Sequence, residues 1–263
     1  MRIKKRRILC GILLSVAVIV LAACAAKQSS KAESESITEK NLSAVCDALR
    51  AGGLSNVDAF AQWVNMYLAG NMDSGDASGF SDADCRMTVM LLAGDSITYA
   101  STEETYDGTY LMFDVEAIEN QEAFSMLKEK KDLFTTLFGE MPISANGFAD
   151  SYAEKLKKHG IAFEGEGFSV ISILFKAYEE DKAFVGHTGI LVDCRENEQA
   201  AANYMFVEKI AFGDPFTVTL VNDDSELIEA LSKRSDYAVE EGDPAPAVYK
   251  DGDLIGELHD AED

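Results

Sequence analysis

No two cysteines of this chain stand at C-x-x-C spacing, so neither a zinc knuckle nor a thioredoxin-like redox pair is encoded. No stretch alternates oxygen ligands in the manner of an EF-hand loop, and no metal or other cofactor is expected. Positive charge is scarce: 23 Lys and Arg stand against 46 Asp and Glu, a net −23. A surface of that sign repels phosphate backbones, which argues against nucleic acid as a partner. The acidity is spread along the chain and reads as a solvated surface. No internal repeat is present.

What is present begins with a leader. MRIKKRR precedes an apolar run from Ile8 to Val20, and LAAC follows at Leu21 to Cys24. The run is short for a permanent span, and small residues before a cysteine suit a lipoprotein peptidase. The expectation is a signal peptide over 1–23, lipidation of Cys24, a polar tether over 24–36 and one α+β domain over 37–263. The protein is then extracytoplasmic and held to the cell membrane by lipid. Without the five basic residues of the leader, 18 basic residues face 46 acidic ones, a charge of −28. Cys10 leaves with the leader and Cys24 is taken by lipid, so Cys46, Cys85 and Cys194 remain. Their odd number leaves at least one thiol over, with a Cys46–Cys194 bridge left open.

The first part of the domain reads as helical. Leu42, Val45 and Leu49 share one face, and Val57, Phe60, Trp63, Val64 and Leu68 form a second stripe in which Trp63 is core. NMDSGDASGFSD is loop, leading to Cys85 and the apolar run VMLLAG. DGTYLMFD is expected as a strand after an Asp-Gly turn. QEAFSMLKEKKDLFTTLFGEM and NGFADSYAEKLKKHG are two amphipathic helices, with His159 as a cap at the end of the second. Strand patterns follow in GFSVISILFKAY, KAFVGHTGILVDC, NYMFVEKIAF and PFTVTLV. SELIEALSKR is helical, and AVYKDGDLIGEL carries a hairpin turn. Helices first and an antiparallel meander later describe an α+β domain.

Three residues form the candidate catalytic set. Cys85 stands where a helix should begin, and unpaired amides there favour a thiolate and can hold an oxyanion. Asp82 and Asp84 act against the thiolate, with Arg86 a partial offset. His187 lies between Gly186 and Gly189 in a strand, where glycine marks close approach of another group. If the turn centres between Asn197 and Glu198 and no bulge intervenes, Glu208 lies directly opposite His187 and orients its ring. The Cys85 helix is then expected on the same side of the sheet. The bland reading of each is a buried inert thiol, a satisfied strand histidine and a surface carboxylate pairing with Lys209.

DCRMTVMLL, GHTGILV and FVEKIAFGDPF, with DGTYLMFDVEAIEN and SELIEALSKRSDY, resemble an uncharacterised, domain-of-unknown-function family of lipoproteins from Gram-positive bacteria. More distantly, the cysteine at a helix start and the H-x-G-I strand are similar to NlpC-type and CHAP-type cell-wall peptidases of the papain-like superfamily. That resemblance implies a cysteine helix packed on an antiparallel sheet, with Cys85 as nucleophile, His187 as base and Glu208 as orienter. It implies a thiol hydrolase acting on peptide or amide bonds, with a cell-wall substrate as partner. Arg86-Met87 replaces the Ser-Gly that usually follows the cysteine. The competing reading is a non-enzymatic envelope lipoprotein that uses the same fold as a binding or interaction module; no protein partner is indicated.

Overall fold

The computed structural model describes residues 32, 34–70, 82–103, 105–178, 181–234, 237 and 242–259. The leader and Cys24 lie outside the described residues. In chain order the elements are β1 (Ser34–Ser36), α1 (Leu42–Ala51), α2 (Val57–Leu68), α3 (Cys85–Ala93), β2 (Ile97–Thr98), α4 (Met112–Asn120), a 3-10 stretch (Glu122–Lys130), α5 (Lys131–Phe138), β3 (Met141–Pro142) and α6 (Asp150–His159). Then come β4 (Ala162–Phe163), β5 (Phe168–Lys176), β6 (Lys182–Asp193), β7 (Tyr204–Lys209), β8 (Phe216–Val221), α7 (Asp224–Ser232), β9 (Ala247–Lys250) and β10 (Asp253–Glu257). This is an α+β arrangement with seven α-helices among the described residues and an antiparallel main sheet ordered β1-β8-β7-β6-β5-β9-β10.

Alternation along the strands sorts their side chains onto two faces. One face carries Val170, Leu174, Val185, Ile190, Val192, Met205, Val207, Phe216 and Val218, packed against the helices from α1 to α6. Trp63 belongs to this core, its indole N–H donating to Ala123 O at 3.2 Å and its ring edge-on to Phe124. The other face carries Ile171, Ile173, Leu191, Phe206, Val221 and Val248 under Leu227 and Leu231 of α7. Asp223 caps α7 by accepting from the Glu226 amide.

Two expectations change here. LMFD does not extend into a strand: Glu140 accepts from the Thr109 and Tyr110 amides at 2.6 and 3.0 Å, and this anchored turn starts α4. Ser34–Ser36, assigned to the tether, pairs with β8 from Ser34↔Thr219 to Ser36↔Thr217. An edge strand supplies backbone partners that side-chain polarity does not advertise.

The register around β6 also differs. Ile190 pairs with Val207 and Asp193 with Tyr204, and the turn is closed by Cys194 N donating to Asn203 O at 2.8 Å. Gly189, not His187, therefore stands in line with Glu208. Between the pairs Ile173↔His187 and Leu174↔Val185, β6 carries an extra residue, Gly186. A Cβ there would meet the Phe175 ring at 2.7 Å, so the bulge needs glycine. Its effect is to send Val185 and His187 to opposite faces.

A fork between two strands forms the candidate active site

β5 covers one edge of β6, leaving β3 and β7 to share the other. β3 pairs with Lys182 and Ala183, and β7 joins only from Ile190 onward. Between them β6 has no strand partner on that edge among the described residues, and the N-terminal end of α3 fills the fork. Arg86 Nη1 donates to Val185 O at 3.3 Å, and the Thr188 backbone hydrogen-bonds the Cys85 thiol. On the β7 side, Asp82 Oδ2 accepts from Lys209 Nζ at 2.7 Å and from the Gly213 amide at 2.6 Å.

α3 begins at Cys85 because Asp84 caps it, its Oδ1 accepting from the Met87 amide at 2.8 Å. Its other oxygen lies 2.9 Å from Arg86 Nη2, and Arg86 Nε reaches Asp114 of α4 at 3.2 Å. Burial works against both carboxyls. For Asp84, Arg86 and hydrogen bonds from Asp114 and the Met87 amide outweigh it and hold the group low. For Asp114, burial and the charge of Asp84 prevail and push the group well up. The two neighbouring carboxyls are thus driven in opposite directions, Asp84 down and Asp114 up.

Cys85 is 4 % exposed. Burial, followed by the charge of Asp84, pushes its thiol up to about 12. Arg86 and the Thr188 backbone lower it by less, so the helix start does not deliver a resting thiolate, contrary to the electrostatic expectation. Among the described residues, Cys46, Cys85 and Cys194 are all free, so no Cys46–Cys194 bridge forms. His159 ends α6, its carbonyl accepting from the Ala100 and Ser101 amides at 2.9 and 3.1 Å.

His187 and Glu208 meet on the face away from the body of α3. His187 Nε2 lies 2.5 Å from Glu208 Oε2. Glu208 is 0 % exposed and pairs with no surface lysine; Lys209 instead turns to Asp82. Burial would raise the Glu208 carboxyl, but hydrogen bonds from His187 and Arg234 outweigh it and hold the group at about 2. An ionised carboxylate only accepts, so the ring Nε2 carries the proton in this bond. Arg234, beyond α7, donates through Nη1 to Oε2 at 2.8 Å and through Nη2 to Oε1, while Thr217 Oγ1 reaches Oε1 at 3.3 Å. Arg234 Nη1 also lies 2.9 Å from the Tyr237 hydroxyl, and the Tyr237 ring stands 5.6 Å from that of His187.

The body of α3 packs on the opposite face from His187, where a shared face was expected: α3 covers the face of Ile190 and Val192, and alternation from Ile190 back to His187 turns the ring to the other. Only the Cys85 end enters the fork. No hydrogen bond joins the Cys85 thiol to the His187 ring among the described residues. Sequence reasoning missed Arg234, Tyr237 and Asp114. Arg234 sits where a basic residue ordinarily ends a helix, and nothing in its spacing points to a buried carboxylate.

A family model for a domain of unknown function, DUF4300, matches residues 65–255. The chain belongs to that family. The DUF4300 match takes in α3, β6, β7 and Arg234, and so every element of the fork. No curated protein and no solved structure matches the chain.

Proposed function

We propose that this DUF4300 protein is a lipid-anchored thiol hydrolase of papain-like arrangement, acting outside the cytoplasm on peptide or amide bonds of the cell envelope. One observation carries the reading: the Cys85 end of α3 enters the fork that the His187–Glu208 pair spans. A nucleophile at a helix start against an antiparallel sheet that bears a histidine and a third polar residue is the order of parts in NlpC-type and CHAP-type peptidases, with Glu208 in the third place at a longer interval after His187. The LAAC leader supplies the membrane anchor at Cys24 and the envelope location, as in lipoproteins of Gram-positive bacteria.

The chemistry follows from the hydrogen bonds. With Nε2 held by Glu208, Nδ1 is the ring nitrogen left to exchange a proton. The thiol is neutral at rest, so the sulfur must bond to the substrate carbonyl carbon as its proton passes to His187. The carbonyl electron pair moves to oxygen, where the Cys85 amide N–H at the helix start stabilises it. The C–N bond breaks as the amine takes the proton from His187. Water, deprotonated by the same ring, then releases the acid from the thioester and restores the thiol.

The second reading, a binding or interaction module on the same fold, is favoured by the buried, protonated state of Cys85. p-Nitrophenyl acetate separates the two. The hydrolase gives a burst of nitrophenolate and an acetyl group mapped to Cys85, and His187→Ala slows that burst roughly 100-fold or more. Absence of acetyl-Cys85 in a folded protein decides for the binding module.

A further inference from the structure

The geometry points to Arg234 as a positioning residue for the Cys85–His187–Glu208 centre, one that gives the buried Glu208 carboxylate a cation other than the His187 ring and fixes the direction in which it meets that ring. The inference rests on the hydrolase reading for its consequence in catalysis, but not for its electrostatics.

Glu208 brings a full negative charge into a place without water contact, and a buried carboxylate seeks a cation. Were His187 the only partner, the stable arrangement would be carboxylate with imidazolium. A ring kept permanently protonated cannot take a proton from a thiol. Arg234 removes that demand. Its two terminal nitrogens bind both oxygens of Glu208, and one of them shares Oε2 with His187 Nε2. Guanidinium stays charged throughout, so it supplies the cation and opposes a second one on the ring. It also fixes the plane of the carboxylate, and with it the direction in which Nε2 points. Thr217 adds a hydrogen bond to Oε1 that carries no charge.

Placement supports a specific role. Leu227 and Leu231 seat α7 on the sheet face that bears Phe206 and Val221. The chain leaving that helix sets Arg234 over Glu208, and Tyr237, bonded to Arg234, against the His187 ring. The groups that act on this centre are Glu208 from β7, Arg234 and Tyr237 from beyond α7, and Cys85 from α3 with Asp84, Arg86 and Asp114 around it. Among the described residues, none of the others binds both Glu208 oxygens.

The test uses the full-length chain in detergent, as wild type, Arg234→Gln and Arg234→Lys. The chain has three histidines, so nitrogen NMR of histidine-labelled protein, assigned with His187→Ala, reads the charge of the His187 ring directly. In Arg234→Gln the charging of His187 should move to higher pH by about one unit or more, with Arg234→Lys in between. The rising limb of the p-nitrophenyl acetate burst should move with it, lowering the rate about tenfold at any pH well down that limb. A purely structural arginine would lower the melting temperature and leave both pH profiles in place, and that result overturns the inference. If Arg234→Gln does not fold, Arg234→Lys decides on the same two profiles. If wild type never acetylates Cys85, the hydrolase reading fails, while the NMR profiles still decide what Arg234 does to His187.

Discussion

His187 and Glu208 meet diagonally across β6 and β7, with Nε2 and Oε2 2.5 Å apart, although the residue in register with Glu208 is Gly189. Gly189 presents no side chain of its own beside Glu208, and a Cβ there would meet the Phe206 ring at 2.5 Å. Diagonal neighbours on one face of an antiparallel pair lie within reach of long side chains. The contact therefore tolerates a two-residue shift in register that would have been fatal at one residue.

Glu208 should leave a signature in acid. Its folded pKa, about 2, lies below the ordinary value for glutamate, so its contribution is present above roughly pH 4 and is lost as pH falls through about 2. Urea unfolding measured across that window should show wild type losing stability relative to Glu208→Gln. Glu208→Ala, which strands Arg234 in a buried position, should cost about 3–5 kcal/mol at neutral pH. Equal acid slopes for wild type and Glu208→Gln would remove the carboxylate from the account.

The three thiols should label in an order set by exposure. Cys194 is half-buried, whereas Cys46 and Cys85 are buried, and burial raises all three thiols. Iodoacetamide on the folded protein at neutral pH should reach Cys194 first, with Cys85 slow until the pH approaches its own range. Mass mapping that finds Cys85 modified first at neutral pH would contradict a thiol pushed up to about 12.

Asp84 and Asp114 should respond unequally to the same change. Burial and the charge of Asp84 push the Asp114 carboxyl well up, so Asp114→Asn, which places a neutral group beside Arg86, should alter stability by less than about 1 kcal/mol. Asp84→Asn loses the charge that pairs with Arg86, and Asp84→Ala also removes the helix cap, for about 3 kcal/mol or more. Thermal melts of the three variants check this. Asp114→Asn falling as far as Asp84→Ala would contradict a raised Asp114 carboxyl.

Cys24→Ala should release or misprocess the protein, since LAAC then lacks the cysteine to be acylated. Fractionation with immunoblotting reads this outcome. A normally processed variant still in the membrane fraction would rule out lipid attachment at Cys24.

Local rules carried most of the elements. Apolar spacing marked α1, α2 and α6, the strands from β5 to β8 showed their alternation, and the Asp-Gly turn between β9 and β10 was plain. Those features depend on residues near one another in sequence. Where a distant group intervened, the reading failed. Glu140 captured the amides that turn Tyr110 into the approach to α4, and β8 recruited Ser34–Ser36 from an apparently idle segment.

The candidate site divides along the same line. From the sequence alone come a cysteine at a helix start, a glycine-flanked strand histidine and a glutamate out of place in an apolar strand, because each breaks a local pattern. The parity of Glu208 was also legible, since side chains alternate and an even shift preserves the face. The bulge that puts Val185 and His187 on opposite faces was not, because it depends on Gly186 meeting the Phe175 ring of the neighbouring strand. Nor was the fork, which exists because β3 and β7 each stop short on β6, or Arg234, which reaches Glu208 only after α7 has packed on the sheet. Charge inside a protein is decided by which groups lose water together, and tertiary structure alone brings those groups to one place.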